Sequence, residues 1–244
     1  MIPKVINYCW FGGNPLPPLA VKCIDSWKKF CPDYKIIEWN ESNFDLDCCD
    51  YVREAYKEKK WAFVSDYARF KILYENGGLY FDTDVELIKP LDDILSCGSF
   101  MGVENFISST SINPGLGLAV VPGLGLYKEL LDSYHDRHFI NKDGSLNLTT
   151  VVDYTTECLR QHGLKDVNVI QEVAGVYIYP KEYFNPTDMD TGKIIVTDNT
   201  VSIHHYAASW VDSYSIFRGK VYSFIAKFMG KSCAEKIRKI VGRK

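Results

Sequence analysis

The sequence predicts an α/β fold, and two observations carry that prediction. Strand-like runs at residues 5–11, 34–39 and 79–81 alternate with helix-like segments at 17–30, 44–60 and 62–75. That order builds a sheet with helices on its faces. The third run ends on Asp82-Thr83-Asp84, which puts two carboxylates at the carboxyl end of a strand. In open α/β sheets, ligands bind at that end.

The elements follow in order. Residues 5–11 are an apolar run closed by Gly12-Gly13 and Asn14-Pro15, a turn composition. Residues 17–30 read as a helix with Ala20, Ile24 and Trp27 on its buried side, broken at Cys31-Pro32-Asp33. Residues 34–39 are a second strand, and 44–60 a charged, mostly helical segment whose Lys-rich end is a solvated face. In residues 62–75, Phe63, Tyr67, Phe70 and Tyr74 recur at spacings of three and four, an apolar stripe that predicts a helix. Asn76-Gly77-Gly78 stops it. Asp66 and Arg69 lie three apart on a different face, away from the stripe. Residues 85–88 continue extended to Lys89-Pro90.

Beyond residue 90 the pattern is weaker. Asn113-Pro114-Gly115-Leu116-Gly117 and Val121-Pro122-Gly123 form glycine-rich turns without the G-K-[ST] of a P-loop. They read either as a flexible connection or as a loop touching a sugar or acceptor. Helices are predicted at 123–134 and 149–162, with strands at 176–180 and 194–203. His135 and His138 have no third ligand in the sequence nearby and read as solvated residues at a helix end.

Two carboxylates one residue apart repel each other. A hard divalent cation, Mn²⁺ or Mg²⁺, resolves that cost by joining carboxylates to substrate phosphates. His204 and His205 follow the last predicted strand and point to opposite sides, so at most one faces a given site. A neutral imidazole suits the sphere of a cation held by Asp84. The adjacency leaves both open.

The pattern A-x-x-S-D-x-x-R-(x)₇-G-G-x-Y-x-D-x-D is filled by Ala62, Ser65, Asp66, Arg69, Gly77, Gly78, Tyr80, Asp82 and Asp84. It resembles glycosyltransferase family 32, a DXD sugar-transferase family that includes yeast Golgi mannosyltransferases and bacterial capsule enzymes. It is also similar to the catalytic core of the large clostridial glucosylating toxins. The segment I-P-K-x-I-x-x-x-W-F-G-G at the start, Y-P-x-x-Y-F-x-P at 179–186 and H-H-x-x-x-S-W at 204–210 extend the resemblance. It implies a GT-A-type nucleotide-sugar-binding mixed sheet, retention of configuration, and transfer of a hexose from a nucleotide sugar, UDP-linked in preference to GDP-mannose. In that reading Trp10 stacks on the base beside Gly12, and Asp66 and Arg69 hold the sugar hydroxyls. Gly78, Tyr80, Asp82 and Asn113 line the donor, and Ser209 and Trp210 approach the diphosphate. Asp82, Asp84 and one histidine, His205 in preference to His204, hold the metal. The acceptor is a glycan, lipid-linked in surface polysaccharide synthesis.

The 244 residues suffice for one sizeable domain, here 1–212, with a helical tail at 213–244. The tail beyond Ser215 carries nine Lys/Arg and one Glu, leaving residues 1–215 at −11 against −3 for the whole chain. Val221, Phe224, Ile225, Phe228, Ile237, Ile240 and Val241 recur at helical spacing among lysines. That pattern predicts an amphipathic helix on an anionic membrane surface. The acidic body and the tail's lack of base-stacking motifs argue against nucleic acid. No apolar run approaches the roughly 20 residues that span a bilayer, and no signal peptide is read at the start. The eight cysteines show no C-x-x-C pair. They read as reduced thiols of a cytoplasmic protein, peripheral on the inner face of the membrane. Two other readings stand beside this one. A haloacid-dehalogenase-like phosphohydrolase would use Asp82-Thr83-Asp84-Val85, and a carbohydrate-binding module would do no chemistry.

Overall fold

The structure is a computed structural model describing residues 1–106, 109–188 and 191–207. The predicted tail at 213–244, its boundary at 212, Ser209, Trp210 and Cys233 lie outside the described residues.

The chain opens with β1 (Val5–Cys9), α1 (Pro18–Phe30) and β2 (Lys35–Trp39). Pro18 stands in the first turn of α1, where its missing N–H costs nothing. Next come α2 (Asp50–Lys57), α3 (Trp61–Asn76), β3 (Gly78–Tyr80) and β4 (Val85–Leu87). The middle contains α4 (Asp92–Cys97), β5 (Phe100–Phe106), β6 (Thr110–Ile112), β7 (Leu118–Val120) and α5 (Gly125–Asp132). The described part closes with α6 (Val151–Gln161), β8 (Gln171–Val173), β9 (Val176–Tyr179), α7 (Lys181–Phe184) and β10 (Ser202–His204). Thr150 caps α6 in a reciprocal capping box with Asp153.

The main sheet runs β2-β1-β3-β7-β5-β9-β8, with β6 paired to β5; β10 pairs with β4 in a separate ribbon. β1 is parallel to β2 and β3, whereas β7 is antiparallel to both β3 and β5. The sheet is therefore mixed, and a core lies on each of its faces. Leu79 and Phe81 turn to one face with Trp27 of α1, Phe100 and Phe184. Tyr80 between them turns to the other, with Val64, Phe70, Tyr127 and Phe139. This is the alternation of a strand buried on both sides. Fully burying side chains such as Phe70, Ile72 and Leu73 contributes about 1.5–3 kcal/mol each.

The aromatic stripe of α3 packs edge-on or tilted against Tyr127, Tyr134 and Phe139. Its other face lies on the sheet, so α3 is buried nearly all round rather than on one stripe. The Gly77-Gly78 stop is required by contact as well as by turn geometry. A Cβ on Gly78 would lie 2.7 Å from the Val5 carbonyl oxygen.

Three sequence expectations change. Residues 44–49 are turns, and the helix predicted over 44–60 is confined to Asp50–Lys57. The first strand ends at Cys9, so Trp10 and Phe11 belong to the loop beyond it. The alternating run at 194–203 becomes strand only at Ser202–His204, and Ile194, Ile195 and Val196 stand exposed.

Candidate active site

The carboxyl ends of β1, β2 and β3 lie on one edge of the sheet, because the three strands are parallel and in register. Trp10, Asn40 and Asp82 leave the sheet at that edge. Asp82-Thr83-Asp84 is the connection from β3 to β4, where the Val85 amide donates to the Asp82 carbonyl at 3.0 Å.

α1 pins the strand that follows. The Trp27 indole N–H donates to the Val85 carbonyl at 2.7 Å, and the Leu87 amide donates to the Ser26 hydroxyl at 2.9 Å. β10 then pairs antiparallel with β4, His204 opposite Val85. The His205 amide donates to the Asp84 carbonyl at 3.0 Å. The pairing delivers a histidine from residue 204 to a carboxylate at residue 84. His204 Nε2 lies 3.1 Å from Asp84 Oδ1. One ligand atom each from Asp82, Asp84 and His204 falls within 4.8 Å of the others. His205, the histidine preferred from sequence, points the other way and pairs with Glu86 at 2.8 Å. Alternation along the strand decides between them.

His204 is 7% exposed, and burial opposes charge on its ring. The hydrogen bond to Asp84 and the charges of Asp84, Asp82 and Glu104 outweigh that, so its pKa is raised overall. Two carboxylates and an imidazole around a common point are an oxygen-rich donor set of the kind that suits Mg²⁺ or Mn²⁺.

Asp82 is fastened from two sides. The Arg69 guanidinium lies 3.2 Å from Asp82 Oδ1 and 2.8 Å from Asp66 Oδ1. Its guanidinium carbon stands 5.0 Å from the Tyr80 ring centroid, and the Tyr80 hydroxyl donates to Asp82 Oδ1 at 3.1 Å. Burial pushes Asp66 up to about 7 against the pull of Arg69. Burial also opposes charge on Arg69, but Asp82, Tyr80 and Asp66 reverse the effect and keep it protonated. The Arg69 side chain is 4% exposed. The resemblance sets Asp66 and Arg69 on the sugar hydroxyls; in the structure both are buried on the side of α3 that faces β3, with the Arg69 guanidinium against Tyr80 and Asp82.

On its other side Asp82 meets the glycine-rich turn. The Asp82 amide donates to the Gly115 carbonyl at 3.2 Å. A Cβ on Gly115 would lie 2.0 Å from Asp82 Oδ2. Asn113 shapes this turn, its Oδ1 accepting from the Gly115 amide at 2.7 Å and its Nδ2 donating to Glu104 at 2.7 Å. Asn113 is thus engaged in holding the loop. Gly115 and Glu104 are the site residues that sequence reasoning did not single out. The glycine-rich turn signalled the first, and nothing in the sequence marks the second.

Two predicted substrate contacts sit differently. Gly78 starts β3, at the end opposite the D-x-D segment, and its lack of a side chain serves packing on Val5. Gly12 is at the site edge, but its missing Cβ admits the Trp61 indole, whose Nε1 would lie 2.6 Å away. The Gly12 amide donates to Glu41 at 2.6 Å. Trp10 is partly exposed at the same edge, its indole N–H donating to the Asn14 carbonyl at 2.6 Å.

Fold and site have counterparts among known proteins. Residues 17–101 match the family model described as a glycosyltransferase sugar-binding region containing a DXD motif. The chain is similar to inositol phosphoceramide mannosyltransferase 1 of Schizosaccharomyces pombe, 30% identical over 111 residues. Those residues make up 41% of this chain and 33% of that protein, so the match spans about a third of the relative's length. It is also similar to the uncharacterized glycosyltransferase L373 of Acanthamoeba polyphaga mimivirus, 24% identical over 202 residues and 76% of each chain. Among solved structures, the PaToxG glycosyltransferase superposes with a TM-score of 0.51 at 21% identity, covering 66% of this chain and 69% of that one. The fold is of the GT-A type seen in that glycosyltransferase, and the D-x-D segment lies within the residues that the DXD family model matches.

Proposed function

We propose that this chain is a metal-dependent, retaining glycosyltransferase that moves a hexose from a nucleotide sugar to a glycan acceptor. The observation that carries the reading is the convergence of Asp82, Asp84 and His204 at the carboxyl end of β3. Asp84 and His204 would hold a divalent cation, Mn²⁺ or Mg²⁺, with Asp82 beside them. When bound, that ion supplies Lewis acidity to the departing diphosphate.

The chain's own residues do the rest. Arg69 and Tyr80 fix Asp82 through one oxygen, so the carboxylate is preorganised before substrate arrives. Gly115 and Asn113 close its other side. Trp10, partly exposed just beyond β1, offers a face for the base. No side chain is required as a nucleophile, since the family mechanism implied by the resemblance has the acceptor hydroxyl attack from the leaving-group side. Arg69 and Tyr80 both engage Asp82 Oδ1, which suits a fixed ligand better than the mobile nucleophile of a phosphohydrolase.

The reading favours UDP-sugars, and the relative named a mannosyltransferase makes GDP-mannose the donor to test beside them. That relative's name also includes a phosphoceramide, a membrane-borne acceptor, which accords with the basic tail at 216–244 and a lipid-linked acceptor at the inner leaflet. The test is slow nucleotide release by the full chain with Mn²⁺ against a panel of UDP- and GDP-sugars. Release from one donor that chelator abolishes supports the proposal. Equal release with and without chelator, or cleavage of simple phosphate esters instead, overturns it.

A further inference from the structure

A second cluster of ligating side chains lies apart from the D-x-D segment, on the outer face of α5 and α6. Glu129 projects from α5, while Cys158 and His162 stand four residues apart at the end of α6, on one face. One ligand atom from each lies within 4.8 Å of the others. His162 Nε2 is 2.8 Å from Glu129 Oε2, and Cys158 is half-buried beside the pair against the core.

We propose that Glu129, Cys158 and His162 form a second, open site for a borderline-soft divalent cation, Zn²⁺ in the first instance. Sulfur, imidazole nitrogen and carboxylate oxygen are the three donor types Zn²⁺ takes. Tetrahedral Zn²⁺ spaces such atoms about 3.3–3.6 Å apart, within reach of small side-chain rotations from the present geometry. The three residues offer three ligands and leave the fourth position to water, since Glu129 and His162 are exposed. The end of α6 adds the negative pole of a helix. This donor set is softer than the one at Asp82 and Asp84, so the two sites select different metals.

The thiol is held protonated by burial and by the nearby Glu129 charge, at about 11. On metal binding its proton passes to water and the thiolate bonds the ion, with no change of oxidation state. The site is placed to matter for the fold. The Thr156 hydroxyl of α6 accepts the Ile112 amide at 2.8 Å, and Arg160 Nη2 donates to the Thr110 carbonyl at 3.1 Å. A cation tying α6 to α5 thus braces β6, which runs into the Asn113 turn.

The experiment is a Co²⁺ titration of the full chain in excess Mg²⁺, which occupies oxygen-rich sites. The prediction is a thiolate-to-cobalt charge-transfer band that saturates at one equivalent and is displaced by Zn²⁺. Cys158→Ser should abolish the band, and Glu129→Gln and His162→Gln, both surface changes, should weaken Co²⁺ binding at least tenfold. Zn²⁺ should raise the melting temperature of the parent and not of these variants. No band in the parent, or a band that survives Cys158→Ser in a folded chain, overturns the proposal.

Discussion

Gly115→Ala is the sharpest probe of how this site is built. The new Cβ would fall 2.0 Å from Asp82 Oδ2, where contacts under 3.0 Å are essentially never seen. Either the carboxylate or the turn must therefore move by about 1 Å. Gly115 is not among the residues with positive φ, so alanine meets no backbone penalty of its own. Displacement of Asp82 breaks its contacts to Arg69 at 3.2 Å and Tyr80 at 3.1 Å. A misplacement of that size costs on the order of 10²-fold in rate, and losing a charged hydrogen bond costs about 1.5–3 kcal/mol of stability. The assay is initial-rate nucleotide release at saturating donor, with the Mn²⁺ dependence measured alongside. Gly125→Ala is the control, because nothing lies within 4 Å of the added carbon and its φ is ordinary. A Gly115→Ala protein within twofold of the parent in rate and Mn²⁺ dependence would refute the argument that this turn sets the position of Asp82.

Three further outcomes are expected. Arg69→Ala leaves Asp66 and Asp82 without their buried cation, costing about 3–5 kcal/mol; thermal melts should fall on the order of 10 °C and metal-dependent nucleotide binding should weaken together with turnover, whereas an unchanged melt with intact binding would return Arg69 to direct sugar contact. His204→Gln should weaken Mn²⁺ binding at least tenfold by calorimetry while His205→Gln leaves it near the parent, and the reverse order would place His205 at the metal. Full-length chain should co-sediment with anionic vesicles and a chain ending near Ser215 should not; equal binding by both would remove the tail from membrane attachment.

Much of this site was legible because its parts are local. The 62–84 stretch carries helix periodicity, a glycine stop, a short strand and the paired carboxylates within a few turns of chain, and α3 and β3 formed where these signals put them. What periodicity cannot supply is the partner of each face. Spacing shows that Asp66 and Arg69 lie off the aromatic stripe, but not that β3 covers that side of α3 or that the Tyr80 ring receives the guanidinium. Choosing between His204 and His205 needed the register of β10 on β4, a pairing across more than a hundred residues. The glycine-rich turn was visible as a turn, whereas its seat on Asp82 depends on β3 lying beside β7. Three-residue strands such as β6 and β7 are too short to show a period. The exposed run Ile194–Val196 shows apolar residues misleading in the other direction.

The central claim is that Asp84 and His204 bind a divalent cation that nucleotide then joins, and direct measurement of Mn²⁺ binding tests it. Free Mn²⁺ is followed by electron paramagnetic resonance while the full chain is added, with and without UDP and GDP. The parent should remove one equivalent of Mn²⁺ from solution, more tightly with one nucleotide present. Asp84→Asn should lose that binding at least tenfold while its melting temperature stays within a few degrees of the parent. An Asp84→Asn protein that is folded and binds Mn²⁺ and nucleotide as the parent does would contradict the account.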